Sequence, residues 1–186
     1  EAHLGGVHLL DEASGEYNRA YIRKYIPEGG VVLMRCVQRT QGLMVASGNP
    51  LGVEGIVDLP RVRYVNRQKG SGTRVLLDYL LKQNGIDPSV ILDYDREELT
   101  HTAVAAAVAA GSADAGMGIL SAARVYGLGF IPVCEEEYDL LISESALSME
   151  SVQRLIRILQ SGEFAARLEK LGGYKLDRPG EIIQWN

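Results

Sequence analysis

The chain has 186 residues, 46% of them hydrophobic and 23% charged, an ordinary balance for a protein that folds around a core. No apolar run reaches the roughly 18 residues needed to cross a bilayer, and a formal charge of −5 excludes a surface built to coat nucleic acid. Small-anion binding survives this filter, because backbone N–H groups and helix dipoles hold an anion even on an acidic chain.

In chain order, Ala2–Val7 is expected to form a short strand, and Asp11, Ser14 and Gly15 mark a loop. Tyr17–Tyr25 is expected to be helical, with Tyr17, Tyr21, Ile22 and Tyr25 on one stripe. Two apolar extended runs follow, Val31–Val37 and Gly42–Ala46, with Arg39, Thr40 and Gln41 between them. Ser47–Gly48–Asn49–Pro50 is a break, Val62–Val65 a strand, and Val75, Leu76, Tyr79 and Leu80 fall at helical spacing before Gly85. Val90–Leu92 is a weak strand, and Thr100–Ala110 is an Ala-rich helix capped by Thr100 or Thr102.

Ala113–Met117 is a strand of small residues and Leu120–Tyr126 a short helix. Gly129–Val133 and Tyr138–Ser143 are strands, and the Glu135–Glu136–Glu137 run between them is expected to be a solvated turn. Ser148 caps an amphipathic helix carrying Val152, Leu155, Ile156 and Leu159. A last helix carries Phe164, Leu168 and Leu171, and the tail is expected to be irregular.

Strands alternating with helices define an α/β protein with mainly parallel sheets. The extended stretches near residues 31–46 and 129–143 enclose a βαβαβ-like middle, so the chain is expected to leave one lobe, build a second and return. The expected division is residues 1–45 with 130–186 as the first lobe and 46–129 as the second.

Asn66–Arg74 carries the strongest chemical signal. A strand enters a Gly-Ser-Gly-Thr turn and a helix begins at once. The N–H groups of Ser71, Gly72, Thr73 and Arg74 are first-turn donors without helical partners, and the hydroxyls of Ser71 and Thr73 add two more. With Arg67 and Arg74 alongside, this nest suits a tetrahedral oxyanion or a carboxylate. A capped helix that binds nothing is the plain alternative. Thr100–His101–Thr102 is a second helix start, where His101 either bonds an anion or serves the cap. Gly116–Met117–Gly118–Ile119 is a third strand-to-helix turn, and ligands in open α/β sheets gather at such strand ends.

Other chemistries fail on spacing. Lys69 precedes the glycines, against the order of a P-loop, and the 116–121 segment lacks the third glycine of a dinucleotide fingerprint. No serine has glycine at both −2 and +2, so a nucleophile elbow is absent. His3, His8 and Asp11 match no zinc spacing, so neither a metal nor any other cofactor is expected. No catalytic residue is assigned: Asp114 and His101 are the only routes to acid/base work, and they form no convergent pair. Cys36 and Cys134 read as buried reduced thiols.

Five blocks taken together resemble a family: His8-Leu9-Leu10-Asp11 with Gly15-Glu16-Tyr17-Asn18; Gln41-Gly42-Leu43 with Gly48-Asn49-Pro50; Asn66-Arg67-Gln68 with Gly70-Ser71-Gly72-Thr73-Arg74; Thr100-His101 with Ala113-Asp114-Ala115-Gly116; and Tyr138-Asp139-Leu140. Across roughly residues 1–175 the chain resembles the periplasmic-binding-protein-like domain (type II, LysR substrate-binding-like) found with molybdopterin-biosynthesis proteins of the molybdenumtransferase type or after a helix-turn-helix domain. The resemblance implies two lobes joined by two crossing strands, with a first lobe that opens at a later strand than usual.

The wider family is similar to periplasmic molybdate- and tungstate-binding proteins, which grip an oxyanion between lobes with hydroxyls and helix-start amides. It points to Ser71, Gly72 and Thr73, then Thr100–Thr102, then Gly118 and Ile119, with Tyr17 and Asn18 from the other lobe. The expected ligand is molybdate or tungstate, serving molybdenum-cofactor supply or its regulation. An organic-carboxylate effector in a LysR-like regulator is the alternative. Expected partners are an attached molybdenum-cofactor enzyme or DNA-binding domain and a second copy in a homodimer, without direct nucleic-acid contact. The absence of a signal-peptide pattern after Glu1 sets a cytoplasmic location as the expectation, with a removed signal or an excised domain as alternatives.

Overall fold

A computed structural model describes residues 2–183. The chain divides into two units: the first runs to Arg39 and resumes at Glu136, and the second is Thr40–Glu135. Two long strands, β2 (Val31–Val45) and β6 (Gly129–Ser143), carry the chain out of the first unit and back.

Both strands are continuous where the sequence suggested breaks. The polar residues that suggested them are partnered inside the sheets. Arg39 bonds Glu136 and lies over the Tyr138 ring at 4.7 Å, while Thr40 donates to Glu135 at 2.9 Å. The Glu135–Glu137 run is therefore strand and not a solvated turn. Glu136 is 1% exposed, with Arg39 and, at 3.5 Å, His8 beside its carboxylate. Burial of a carboxylate requires such partners.

In the first unit β1 (Leu4–Val7) pairs antiparallel with the later half of β6, from Leu4↔Ile142 to Val7↔Asp139. Helix α1 begins at Arg19 and ends at Tyr25. The tail expected to be irregular supplies two short strands on β2: β7 (Tyr174–Lys175) against Gln38–Arg39, and β8 (Ile182–Ile183) against Leu33–Met34. Helices α5 (Glu150–Leu159) and α6 (Gly162–Leu171) complete the unit. The stripe of α5 packs as its spacing predicts, Val152 and Leu159 joining Met34, Leu140 and Ile142 in one cluster. Its N-cap is Met149 rather than Ser148.

In the second unit β5 (Ala115–Ile119) pairs antiparallel with β2, from Gln41↔Ile119 to Val45↔Ala115. β3 (Tyr64–Arg67) lies parallel to β5, and β4 (Glu97–Glu98) parallel to β3. Among the strands of the described residues, parallel pairing runs through β5–β3–β4, narrower than the sequence led us to expect, because the crossing strand β2 pairs antiparallel with β5. Val90–Leu92 is not a strand. Pro88–Val90 forms a 3-10 turn, Leu92 makes a single bridge to Arg63, and true pairing waits for Glu97.

Three helices cover this sheet: α2 (Gly72–Gln83), α3 (His101–Ala109) and α4 (Leu120–Val125). Gly116 lets α3 approach β5 closely: a Cβ there would sit 2.4 Å from Val104 Cγ1. Met44, Val65, Val104, Val108 and Ala123 form the resulting core. Among the described residues no helix is long and apolar enough to cross a membrane.

Candidate functional site

Three sequence-predicted segments fall in the second unit: Asn66–Arg74, Thr100–Thr102 and Gly116–Ile119. β3 ends at Arg67, and Gly70, at φ +84°, turns the chain into Ser71. Ser71 adopts an extended conformation, and its Oγ accepts from the Arg74 N–H at 3.2 Å. One first-turn donor of α2 is thereby satisfied. The Ser71 hydroxyl proton and the Gly72 and Thr73 amides belong to the end that carries the positive pole of the helix. At the start of α3, Thr100 Oγ1 accepts from Ala103 N–H at 3.0 Å and lies 3.0 Å from Thr102 Oγ1.

Arg67 connects these two helix starts. It is 9% exposed. Its Nη1 lies 3.1 Å from His101 Nδ1, and its Nη2 donates to the Leu99 carbonyl at 3.0 Å. A guanidinium only donates, so His101 Nδ1 is the acceptor and the ring carries its proton on Nε2. A Cβ placed on Gly118 would lie 3.4 Å from His101 Nδ1, so the β5 turn runs beside the same ring. Ile119 neighbours Gln41 across the β2–β5 ladder.

Gln41 is the residue that sequence reasoning missed. It is fully buried, and its Nε2 donates to Thr73 Oγ1 at 2.9 Å. The available signal was a glutamine just before the apolar Leu43–Val45 end of β2. By accepting from Gln41, the Thr73 hydroxyl is oriented with its own proton pointing elsewhere.

Three predicted residues have other occupations. Arg74 is held by Asp78 and Glu97. Asn18 lies in the first unit, where its Nδ2 donates to Asp139 at 2.8 Å and its Oδ1 accepts from Leu9 N–H at 2.9 Å. Tyr17 forms a backbone bridge with Leu10. As the N-cap of α1, Asn18 adopts φ +68°, a conformation asparagine tolerates better than most residues.

Acid/base candidates are occupied as well. Arg63 grips Asp114 through Nη2 at 2.6 Å and Nε at 3.1 Å, and this bonding holds the carboxyl below its usual range. Cys36 and Cys134 are half-buried, less enclosed than the sequence suggested. Burial, aided by the Asp139 charge, pushes the Cys36 thiol up to about 11. No group of three or more His, Cys, Asp or Glu able to hold a metal occurs among the described residues. The starts of α2 and α3 are rich in hydrogen-bond donors.

These features belong to a ligand-binding fold. The chain matches the PBP superfamily domain over residues 1–160 and belongs to that family. It is 36% identical over 179 residues to the uncharacterized protein YvgK of Bacillus subtilis, covering 95% of this chain and 58% of YvgK. The chain therefore spans little more than half of that relative. In fold it is similar to the substrate-binding domain of a putative molybdenum ABC transporter from Clostridium difficile, at 17% identity and TM-score 0.58, covering 85% of this chain and 73% of that one. It is equally similar to a mutant OxyR from Corynebacterium glutamicum, at 17% identity and TM-score 0.58, covering 76% and 47%. Identities this low establish a shared fold.

Proposed function

We propose that this domain captures a small oxyanion, molybdate or tungstate before others, on the second unit. The ligand groups are the amides of Gly72 and Thr73, the hydroxyls of Ser71 and Thr73, the Arg67 guanidinium, His101, Thr100 and Thr102, with the Gly118–Ile119 backbone alongside. The supporting observation is the Arg67–His101 contact of 3.1 Å, which links the end of β3 to the start of α3. Donors converging from separate elements suit a tetrahedral guest, whereas one capped helix would not require them. The similarity to a molybdenum transporter's binding domain fits this ligand. In this reading the domain acts in the cytoplasm, attached to a molybdenum-cofactor enzyme or a DNA-binding domain, and a homodimer serves the regulatory form.

A second reading, sensing of an organic carboxylate, draws on Leu99, which is 73% exposed and whose carbonyl accepts from Arg67. An apolar side chain next to the donors suits a guest with a carbon skeleton, and the OxyR likeness fits a regulator. Calorimetry with molybdate, tungstate, sulfate and short carboxylates separates the two. Preference for the dianions supports the first and preference for carboxylates the second. Ser71→Ala weakens binding by about 1–3 kcal/mol, the range of a charged hydrogen bond. No heat with any of these anions would end both readings.

A further inference from the structure

Arg74 lies in the first turn of α2 with its side chain 5% exposed. Its Nε donates to both oxygens of Asp78, at 2.9 and 3.2 Å. Its Nη1 donates to Glu97 Oε1 at 3.2 Å and reaches the Arg67 carbonyl at 3.5 Å. The guanidinium lies over the Tyr94 ring, 4.3 Å from its centroid, and the Tyr94 hydroxyl closes the circle by donating to Asp78. Two carboxylates thus neutralise a desolvated guanidinium whose planar fork fits them. What this group contributes is geometry, because its charge is already taken.

The segment it holds is informative. Glu97 pairs with Asn66 in the β3–β4 ladder and stands three residues before Thr100, the N-cap of α3. Asn66 adds a second tie, donating from Nδ2 to the Tyr94 carbonyl at 3.2 Å. One side chain therefore joins the first turn of α2, the end of β3 and the strand that delivers the start of α3.

We propose that Arg74 is a positioning residue that fixes the start of α3 against the start of α2, so that both donor sets meet the ligand at one spacing. The ligand part of this proposal rests on the anion-binding reading above. Donors held within a fraction of an ångström bind better than donors that must be ordered on arrival.

The test uses Arg74→Met, which keeps the stem and removes the fork, and Glu97→Gln, which keeps the volume and loses the charge. Tungstate affinity is measured by calorimetry, and amide hydrogen exchange is followed at Arg74 and Ala103, the amides bound by the Ser71 and Thr100 caps. Both variants are expected to raise the tungstate Kd roughly tenfold, as loss of a supporting partner does at other sites. Exchange at Ala103 is expected to accelerate while Val108, in the same helix, keeps its wild-type rate. Wild-type affinity with wild-type exchange at Ala103 overturns the proposal. So does acceleration at Val108 equal to that at Ala103, since that reports general destabilisation. If the wild-type chain gives no heat with tungstate, the anion reading fails, and Ala103 exchange alone decides whether Arg74 positions α3. If Arg74→Met does not fold, Glu97→Gln decides by the same two measurements.

Discussion

Asp139 shows how one side chain's surroundings set its chemistry. It is 3% exposed, and burial, reinforced by Glu137, raises its pKa to about 6 against the opposing hydrogen bond from Asn18. A carboxyl whose folded pKa lies above its unfolded value holds a proton in the folded state that the unfolded chain has released. Its contribution to stability is therefore present below about pH 4 and lost as pH rises through about 6, by about 3 kcal/mol for a shift of two units. Asp139→Asn removes that dependence. Urea unfolding at pH 4 and pH 7 should show the wild type losing stability relative to the variant at the higher pH. An equal difference at both pH values would refute the assignment. The Asp139–Asn18 contact joins positions 121 apart in the chain, so no local pattern announced it. The Gly-Ser-Gly-Thr turn was legible because its chemistry is local: one residue supplies the positive φ and the next supplies the cap.

Among the elements, most helices and strands follow from periodicity, and the failures share a cause. Both long strands contain a charged stretch that looks like a break. Each is stabilised by the other through pairs such as Arg39–Glu136 and Thr40–Glu135, which no single stretch of sequence displays. β7 and β8 were missed because two-residue strands exist only through their pairing with β2. Glycines in the second unit separate close packing from mere convenience. A Cβ on Gly42 would meet the Ile131 carbonyl at 2.4 Å, whereas on Gly118 its nearest neighbour is the mobile end of Met44 at 2.6 Å. Gly42→Ala is expected to destabilise by about 1–3 kcal/mol through overpacking against backbone. Gly118→Ala should cost less in denaturant unfolding. The reverse order would mean that the β2–β6 approach is looser than described.

For the molecule as a whole, the sequence revealed the family and the return of the chain through two strands, and the match over residues 1–160 agrees. It did not reveal how the predicted site residues are shared out. Thr73 meets Gln41 and Arg67 meets His101, with Gly118 beside the His101 ring, while Asn18 serves the interior of the first unit. Arg74 was read as a ligand group because it follows the glycine turn. Its true partners lie 4 and 23 residues further on. The central claim is that helix-start donors on the second unit hold an anion. Anomalous diffraction from crystals of the intact chain grown with tungstate tests it directly. The account predicts a tungsten peak within hydrogen-bonding reach of Ser71 Oγ, the Thr73 amide and the Arg67 guanidinium. A fully occupied tungsten site remote from both helix starts would contradict it.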